Sequence, residues 1–236
     1  MYFFFHLIAG IILGVLISDF LKDQRWLIPC AIGAVLPDLI DKPIGYLLFP
    51  ATIGSGRIYT HTLLIAIIIM ALGIAIWKIK NDPGVMAFGV GILSHQVLDL
   101  MWREPLNWYF PLLGQFKGKI TQEYFFTLLF RDLNQPFEQI LILMLCAILV
   151  AVLCRHKLPA IINRNYPVFP AIGTACAFLL CILSGIIIGR GILNKSFPEL
   201  GWSRPEELIL GGIIIALAAL LIWRWQKKAR IELRTD

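Results

Sequence analysis

Charge is scarce in this sequence. Acidic and basic residues together make up 15% of its 236 residues, where a soluble domain carries about 25%. Set against 58% hydrophobic residues and a mean hydropathy of +0.78, that scarcity excludes an ordinary soluble domain. The five cysteines have no spacing suited to a zinc knuckle or a disulfide framework. Cys146, Cys176 and Cys181 fall inside apolar runs, and Cys30 and Cys154 lie near the ends of others. Internal repeats, low-complexity tracts and flexible linkers are missing. The opening run MYFFFHLIAGIILGVLI lacks a basic flank and a small-residue cleavage site, so it reads as a retained span rather than a signal peptide. No nucleic-acid signature accompanies the net charge of +6. In a membrane protein such basic residues set topology and touch anionic lipid.

What the sequence does have is long apolar segments. Judged against the roughly 20 residues that a helix needs to cross the hydrocarbon core, the candidates are Tyr2 to Phe20, Trp26 to Ile40, Thr60 to Trp77, Gly84 to Trp102, Phe137 to Cys154, Val168 to Gly189, and Leu208 to Trp225. The expected fold is all-α: a single polytopic membrane helix bundle, residues 1–236, with about seven transmembrane helices. The second segment is short and carries Pro29 and Pro37, so it enters tilted, kinked or re-entrant, which requires burial in protein. The one long connection, Asn107 to Pro136, is rich in aromatics and suits the interface. Residues 115–236 would comprise most of it and three further transmembrane helices.

Orientation follows from Lys and Arg. Leu21 to Arg25, Lys78 to Pro83, Arg155 to Pro167 and the tail after Trp223 hold more than half of the 21 basic residues. The positive-inside rule puts those four stretches in the cytoplasm, the C-terminus in and the N-terminus out. The protein is thus expected in the plasma (inner) membrane as a multi-pass chain. On that map His6, Asp38, Asp41, His61, His95 and Asp99 all fall toward the outer face, although the topology argument used none of them. His156 belongs to a basic cytoplasmic loop and is set aside.

The stretch GILSHQVLDLMW, residues 91–102, concentrates the chemistry. Helix positions four apart share a face, with Cβ atoms roughly 6 Å apart, so one cation can bind His95 and Asp99 together. Ionisable groups in hydrocarbon are costly and mark function by default. Each residue also has a plainer reading. His95 and Asp99 can be a hydrogen-bonded pair joining two helices, Asp38 and Asp41 can end a helix before Pro43, and Thr60 and His61 can cap the next one.

The order of an early His6, then Pro37-Asp38-Leu39-Ile40-Asp41, then Arg57-Ile58-Tyr59-Thr60-His61-Thr62, then Ser94-His95-Gln96-Val97-Leu98-Asp99 resembles the YdjM-like family of membrane-bound metal-dependent hydrolases. The likeness reaches from the N-terminus to about Gly114, which makes residues 1–114 the metal-site half. Family members often carry His-Arg and Thr-His-Ser where this chain has Gly56-Arg57 and Thr60-His61-Thr62. The resemblance implies a helical membrane domain whose His and Asp residues bind a divalent metal for hydrolysis. The ligand order is also similar, more weakly, to that of the zinc-dependent phospholipase C enzymes.

Zinc takes His nitrogen and carboxylate oxygen, four in a structural site and three plus water in a catalytic one. Asp41, His61, His95 and Asp99 suffice for one ion; His6 and Asp38 can hold a second or form its outer shell. Zinc comes first, with manganese or magnesium as alternatives. Asp38 is the candidate general base, ahead of Glu138. Arg57 is the candidate substrate group, because its fork matches a phosphate and it lies four positions before His61. Lys42 and Arg103 lie on the same side and read first as anchors to lipid headgroups. The leading reading is a hydrolase of a lipid-linked ester or phosphoester, with membrane lipid as environment and substrate. The alternative is a transporter or channel for divalent metal or protons, and a third reading is a cluster that only stabilises the bundle. No protein partner can be inferred.

Overall fold

The computed structural model describes residues 3–116, 125–135, 138–140, 142, 168–197, 202 and 204–235. Among these the chain is helical and forms no strand, only an isolated bridge between Phe197 and Trp202. The fifth expected span, Phe137 to Cys154, lies outside the described residues except at 138–140 and 142, as does the loop Arg155 to Pro167 with His156. Two compact units divide the chain, Met1–Glu138 and Gln139–Asp236.

In the first unit α1 (Phe3–Leu21), α4 (Leu63–Lys80) and α5 (Gly84–Leu98) are apolar around their whole circumference, the mark of a buried or membrane helix. α1 and α4 are long and apolar enough to cross a membrane; α5, with 15 residues, is shorter than the expected fourth span. α4 starts where the Thr62 hydroxyl accepts the Ile65 N–H at 3.4 Å, and it ends on left-handed Asn81 with Lys78 and Lys80 in its last turn, where cations complement the helix dipole. Leu64, Ile67, Ile68, Leu72 and Ile74 stand exposed along α4. The polar residues His6, Asp41, His61 and His95, by contrast, are fully buried.

The second expected span is instead two short helices, α2 (Leu27–Gly33) and α3 (Leu36–Pro43), separated by a break at Ala34–Val35. Neither approaches the length of a crossing helix. Pro37 is accommodated in the first turn of α3, where an N–H would have no helical partner. α5 is central to this unit, with α1, α2 and α4 packed on it. Trp26, Cys30 and Ala87 form a core that Leu13, Ile17, Trp77, Met86 and Val90 complete. Helices α2 and α5 meet backbone to backbone: a Cβ on Gly33 would overlap the Phe88 carbonyl, and one on Gly91 the Cys30 carbonyl. Small residues permit such close approach where lipid supplies no hydrophobic drive.

Beyond α3 a π turn, Ile44–Leu48, leads into residues 49–62, which contain no helix. After α5 the chain turns through Leu100, whose φ of 54° is left-handed, into the 3₁₀ turn Met101–Arg103 and the short α6 (Pro105–Trp108). Within the long connection Phe116 stacks on Phe110, and it packs edge-on to Tyr59 of the segment before α4. Its later part forms α7 (Phe125–Leu133), with Phe126, Leu129 and Phe130 exposed.

The second unit contains a helical hairpin, α8 (Val168–Ile192) and α9 (Pro205–Thr235), each holding a window apolar enough to span a membrane. Ser184 Oγ donates to the Gly212 carbonyl at 2.9 Å, and Trp202 covers Gly211. Arg190 lies 4.7 Å over the Phe197 ring.

Candidate metal centre

The N-terminal end of α1, the helix α3, the segment before α4 and the C-terminal end of α5 meet at one place. There, Asp38, His61, His95 and Asp99 each offer one ligand atom, all within 4.8 Å of one another, and all four residues are buried. His61 Nε2 and His95 Nε2 are 3.1 Å apart, and Asp38 Oδ1 lies 3.7 and 3.8 Å from them. Asp99 Oδ2 lies 3.8 Å from His61 Nε2. Four atoms bonded to one zinc at about 2.0–2.1 Å in a tetrahedron are about 3.3–3.4 Å apart, so the group fits an ion after small adjustments.

The hydrogen bonds on the far sides of both rings favour the same conclusion. His95 Nδ1 is 2.7 Å from the Ala34 carbonyl, an acceptor only, so Nδ1 carries the proton and Nε2 presents its lone pair. His61 Nδ1 is 2.7 Å from Asp41 Oδ2, and the same logic leaves its Nε2 as an acceptor. Two lone pairs then face each other across 3.1 Å. A proton on one of them or a cation held by both resolves the conflict, and a carboxylate or carbonyl behind each ring is the usual outer shell of a metal-binding histidine.

Asp41 therefore stands behind His61 rather than within the four-donor group. Its carboxylate accepts the main-chain N–H of Ile58 at 3.0 Å, of Thr60 at 3.0 and 3.2 Å, and of His61 at 3.2 Å. Those amides belong to no helix and, being buried or nearly so, need partners. His6 is also outside the group: its Nε2 bonds Asp99 Oδ1 at 3.0 Å, while its ring packs on His95 with centroids 4.0 Å apart. His6 Nδ1 is buried and has no hydrogen-bond partner among the described residues.

Arg57 donates from Nε to Asp99 Oδ2 at 2.9 Å and from Nη1 to Glu104 Oε1. Burial alone would weaken its charge, but Asp99 and then Glu104 raise its pKa well above the ordinary arginine value. Lys42 Nζ lies 2.9 Å from Asp38 Oδ2. The two cations are 24% and 27% exposed, whereas both imidazoles are sealed, so solvent reaches the edge of the cluster at Arg57 and Lys42. Glu138 accepts the N–H groups of Phe4 and Phe5 at 2.9 and 3.2 Å and so caps α1.

Sequence reasoning assigned no role to Gln96 or Asn107. Gln96 is fully buried and bonds Thr60, Thr62 and Trp108; Asn107 donates to the Arg57 carbonyl at 3.0 Å. The signal for Gln96 was a neutral amide beside His95 in an otherwise apolar helix.

An all-helical membrane protein with a buried His/Asp group able to hold a metal ion is the class that this fold and site define. The profile of the YdjM inner membrane protein family matches residues 1–191, and the chain belongs to that family. That match runs past Gly114, where the motifs stop, almost to the end of α8. No curated protein and no solved structure matches the chain.

Proposed function

We propose that this protein is a metal-dependent hydrolase that cleaves a lipid-linked ester, most simply a phosphoester, at headgroup depth on the outer face of the inner membrane. The observation that carries the reading is the convergence of His61 Nε2 and His95 Nε2 with the Asp38 and Asp99 carboxylates, each imidazole held from behind by its Nδ1. Zinc is the first choice of ion for two imidazole nitrogens and one carboxylate oxygen with a place left for water, with manganese or magnesium as alternatives. The topology proposed with it has seven spans, N-terminus out and C-terminus in, from the distribution of basic residues.

When bound, a divalent ion supplies Lewis acidity and makes water available as hydroxide near neutral pH. The chain's own residues divide the remaining work. His61 and His95 would hold the ion through Nε2, and Asp99, held on both oxygens by His6 and Arg57, would give the third donor. Asp38, whose Oδ1 faces both imidazoles, takes the proton of the attacking water. Arg57 and Lys42 at the solvent-reached edge hold the anionic oxygens of the ester, and the leaving oxygen is protonated from solvent.

A transporter needs polar groups through the full depth of the membrane. Residues 66–77 of α4 and 84–91 of α5 are apolar or glycine throughout, which favours a site closed at its inner end. The test is elemental analysis of the purified protein, followed by assays of phosphate and headgroup release from a panel of lipid phosphoesters. Zinc or manganese in stoichiometric amount with turnover is expected, and His95→Ala should lose both. Wild-type protein that binds no divalent ion at micromolar concentration overturns the reading.

A further inference from the structure

We propose that Gln96 is the positioning residue that fixes the separation between the two imidazole donors, a role that rests on the metal-site reading above. His61 belongs to the irregular segment before α4, and a residue in such a segment has no helix to hold it. His95 belongs to α5, whose main-chain hydrogen bonds fix its backbone. Gln96 is the next residue of that helix and is fully buried. From it, Nε2 donates to the Thr60 carbonyl at 3.2 Å and to the Thr62 carbonyl at 2.9 Å. Those two carbonyls belong to the residues on either side of His61. The amide thus grips the main chain before and after the donor and ties it to the helix that carries the other donor.

The orientation of this amide is dictated by its partners. Both neighbours of Nε2 are carbonyls, which only accept, and the neighbour of Oε1 is the Trp108 indole N–H at 3.0 Å, which only donates. A carboxylate at position 96 would present oxygens to both carbonyls, and a hydrocarbon would present nothing. Neither can hold two nitrogen lone pairs 3.1 Å apart. Asp41 holds His61 from the side of α3, so the segment is gripped from two elements, and Gln96 sets its distance from α5. Such outer contacts orient ligands and tune affinity.

The experiment compares full-length wild type with Gln96→Met, Gln96→Glu, Trp108→Phe and Asn107→Leu. Zinc affinity is measured by competition with a chelator, cobalt(II) binding by its visible absorption, and thermal unfolding on the metal-free protein. Gln96→Met and Gln96→Glu should bind zinc about 10- to 100-fold more weakly and shift the cobalt spectrum. Trp108→Phe removes only the bond to Oε1, leaves the grip on Thr60 and Thr62, and should bind within about threefold of wild type. Asn107→Leu breaks a neighbouring amide contact to Arg57 and should lower stability without shifting the cobalt spectrum; it tests general loosening of the loop. Should Gln96→Met fail to fold, Gln96→Glu, which keeps an acceptor for Trp108, carries the comparison. Wild-type affinity in both Gln96 variants, or equal loss in Asn107→Leu, overturns the role of Gln96 while leaving the metal site in place. Wild-type protein that binds neither ion overturns the metal reading itself, and this role with it.

Discussion

Asp41 holds His61 twice, accepting its main-chain N–H at 3.2 Å and its ring Nδ1 at 2.7 Å on the same oxygen. A candidate ligand and the residue that aims it are thereby distinguished, although both are buried acid and base in one motif-bearing region. Asp41→Asn retains one side-chain acceptor and loses the other. It should weaken metal binding about 10- to 100-fold without abolishing it. A competition assay against a chelator checks this, and complete loss of metal would place Asp41 among the ligands.

Asp38 and Asp99 should respond differently to the same change. Both oxygens of Asp99 are fixed by His6 and Arg57, as befits a donor, whereas Asp38 has Oδ1 facing the imidazoles and Oδ2 near Lys42. Asp38→Asn should keep at least one metal and lose turnover; Asp99→Asn should lose both. Metal stoichiometry and phosphate release measured on the same preparations decide, and full activity in Asp38→Asn removes it as the base.

Arg57→Ala leaves Asp99 buried with one cation fewer. Removing one partner of a buried pair costs on the order of 3 kcal/mol, reduced here by the solvent that reaches an arginine 24% exposed. A bound divalent ion replaces the missing charge, so zinc should raise the unfolding temperature more in the variant than in wild type. Because the Arg57 pKa is raised in the folded state, its contribution is present below the unfolded arginine pKa and is lost only as pH rises beyond that value. Across about pH 6 to 9 it should therefore be constant. Equal zinc-induced shifts in the two proteins would count against the Arg57 pairing.

Gly91→Ala tests the seam between α2 and α5. Its Cβ would meet the Cys30 carbonyl, and overpacking of this kind costs about 1–3 kcal/mol. Parting the helices also draws the Ala34 carbonyl from His95 Nδ1, so metal affinity should fall along with thermal stability. Unchanged affinity would show that the ring is aimed by something other than α2.

Topology is tested by reporters on the intact chain. One fused after Asp236 should be active in the cytoplasm, and one inserted near Gly118 on the outer side, as the basic residues require. The reverse pattern would place the cluster at the inner face.

Much of the site was legible because its residues are conspicuous in an apolar chain. His95 and Asp99, four apart, announce a shared face, and the positive-inside argument gathers the other four candidates at the same end. The division of labour between Asp38 and Asp41 was not legible. Both lie on α3, and which one faces the imidazoles depends on the break at Ala34–Val35 and on main-chain amides at Ile58, Thr60 and His61 that any residue would supply. Pro29 and Pro37 announced an interruption in Trp26 to Ile40 but not its place, since the break falls between them at Ala34–Val35. Gln96 was passed over because an uncharged amide carries no chemistry of its own until its partners are known.

The site draws on residues from His6 to Asp99, and this spacing along the chain sets the order of its assembly. A growing polypeptide emerges N-terminus first. His6, Asp38, Asp41 and His61 therefore leave the ribosome while the end of α5 is still unmade. Until it arrives, these polar groups must be met by water or by one another, and the four-donor group can close only after residue 99 has been translated.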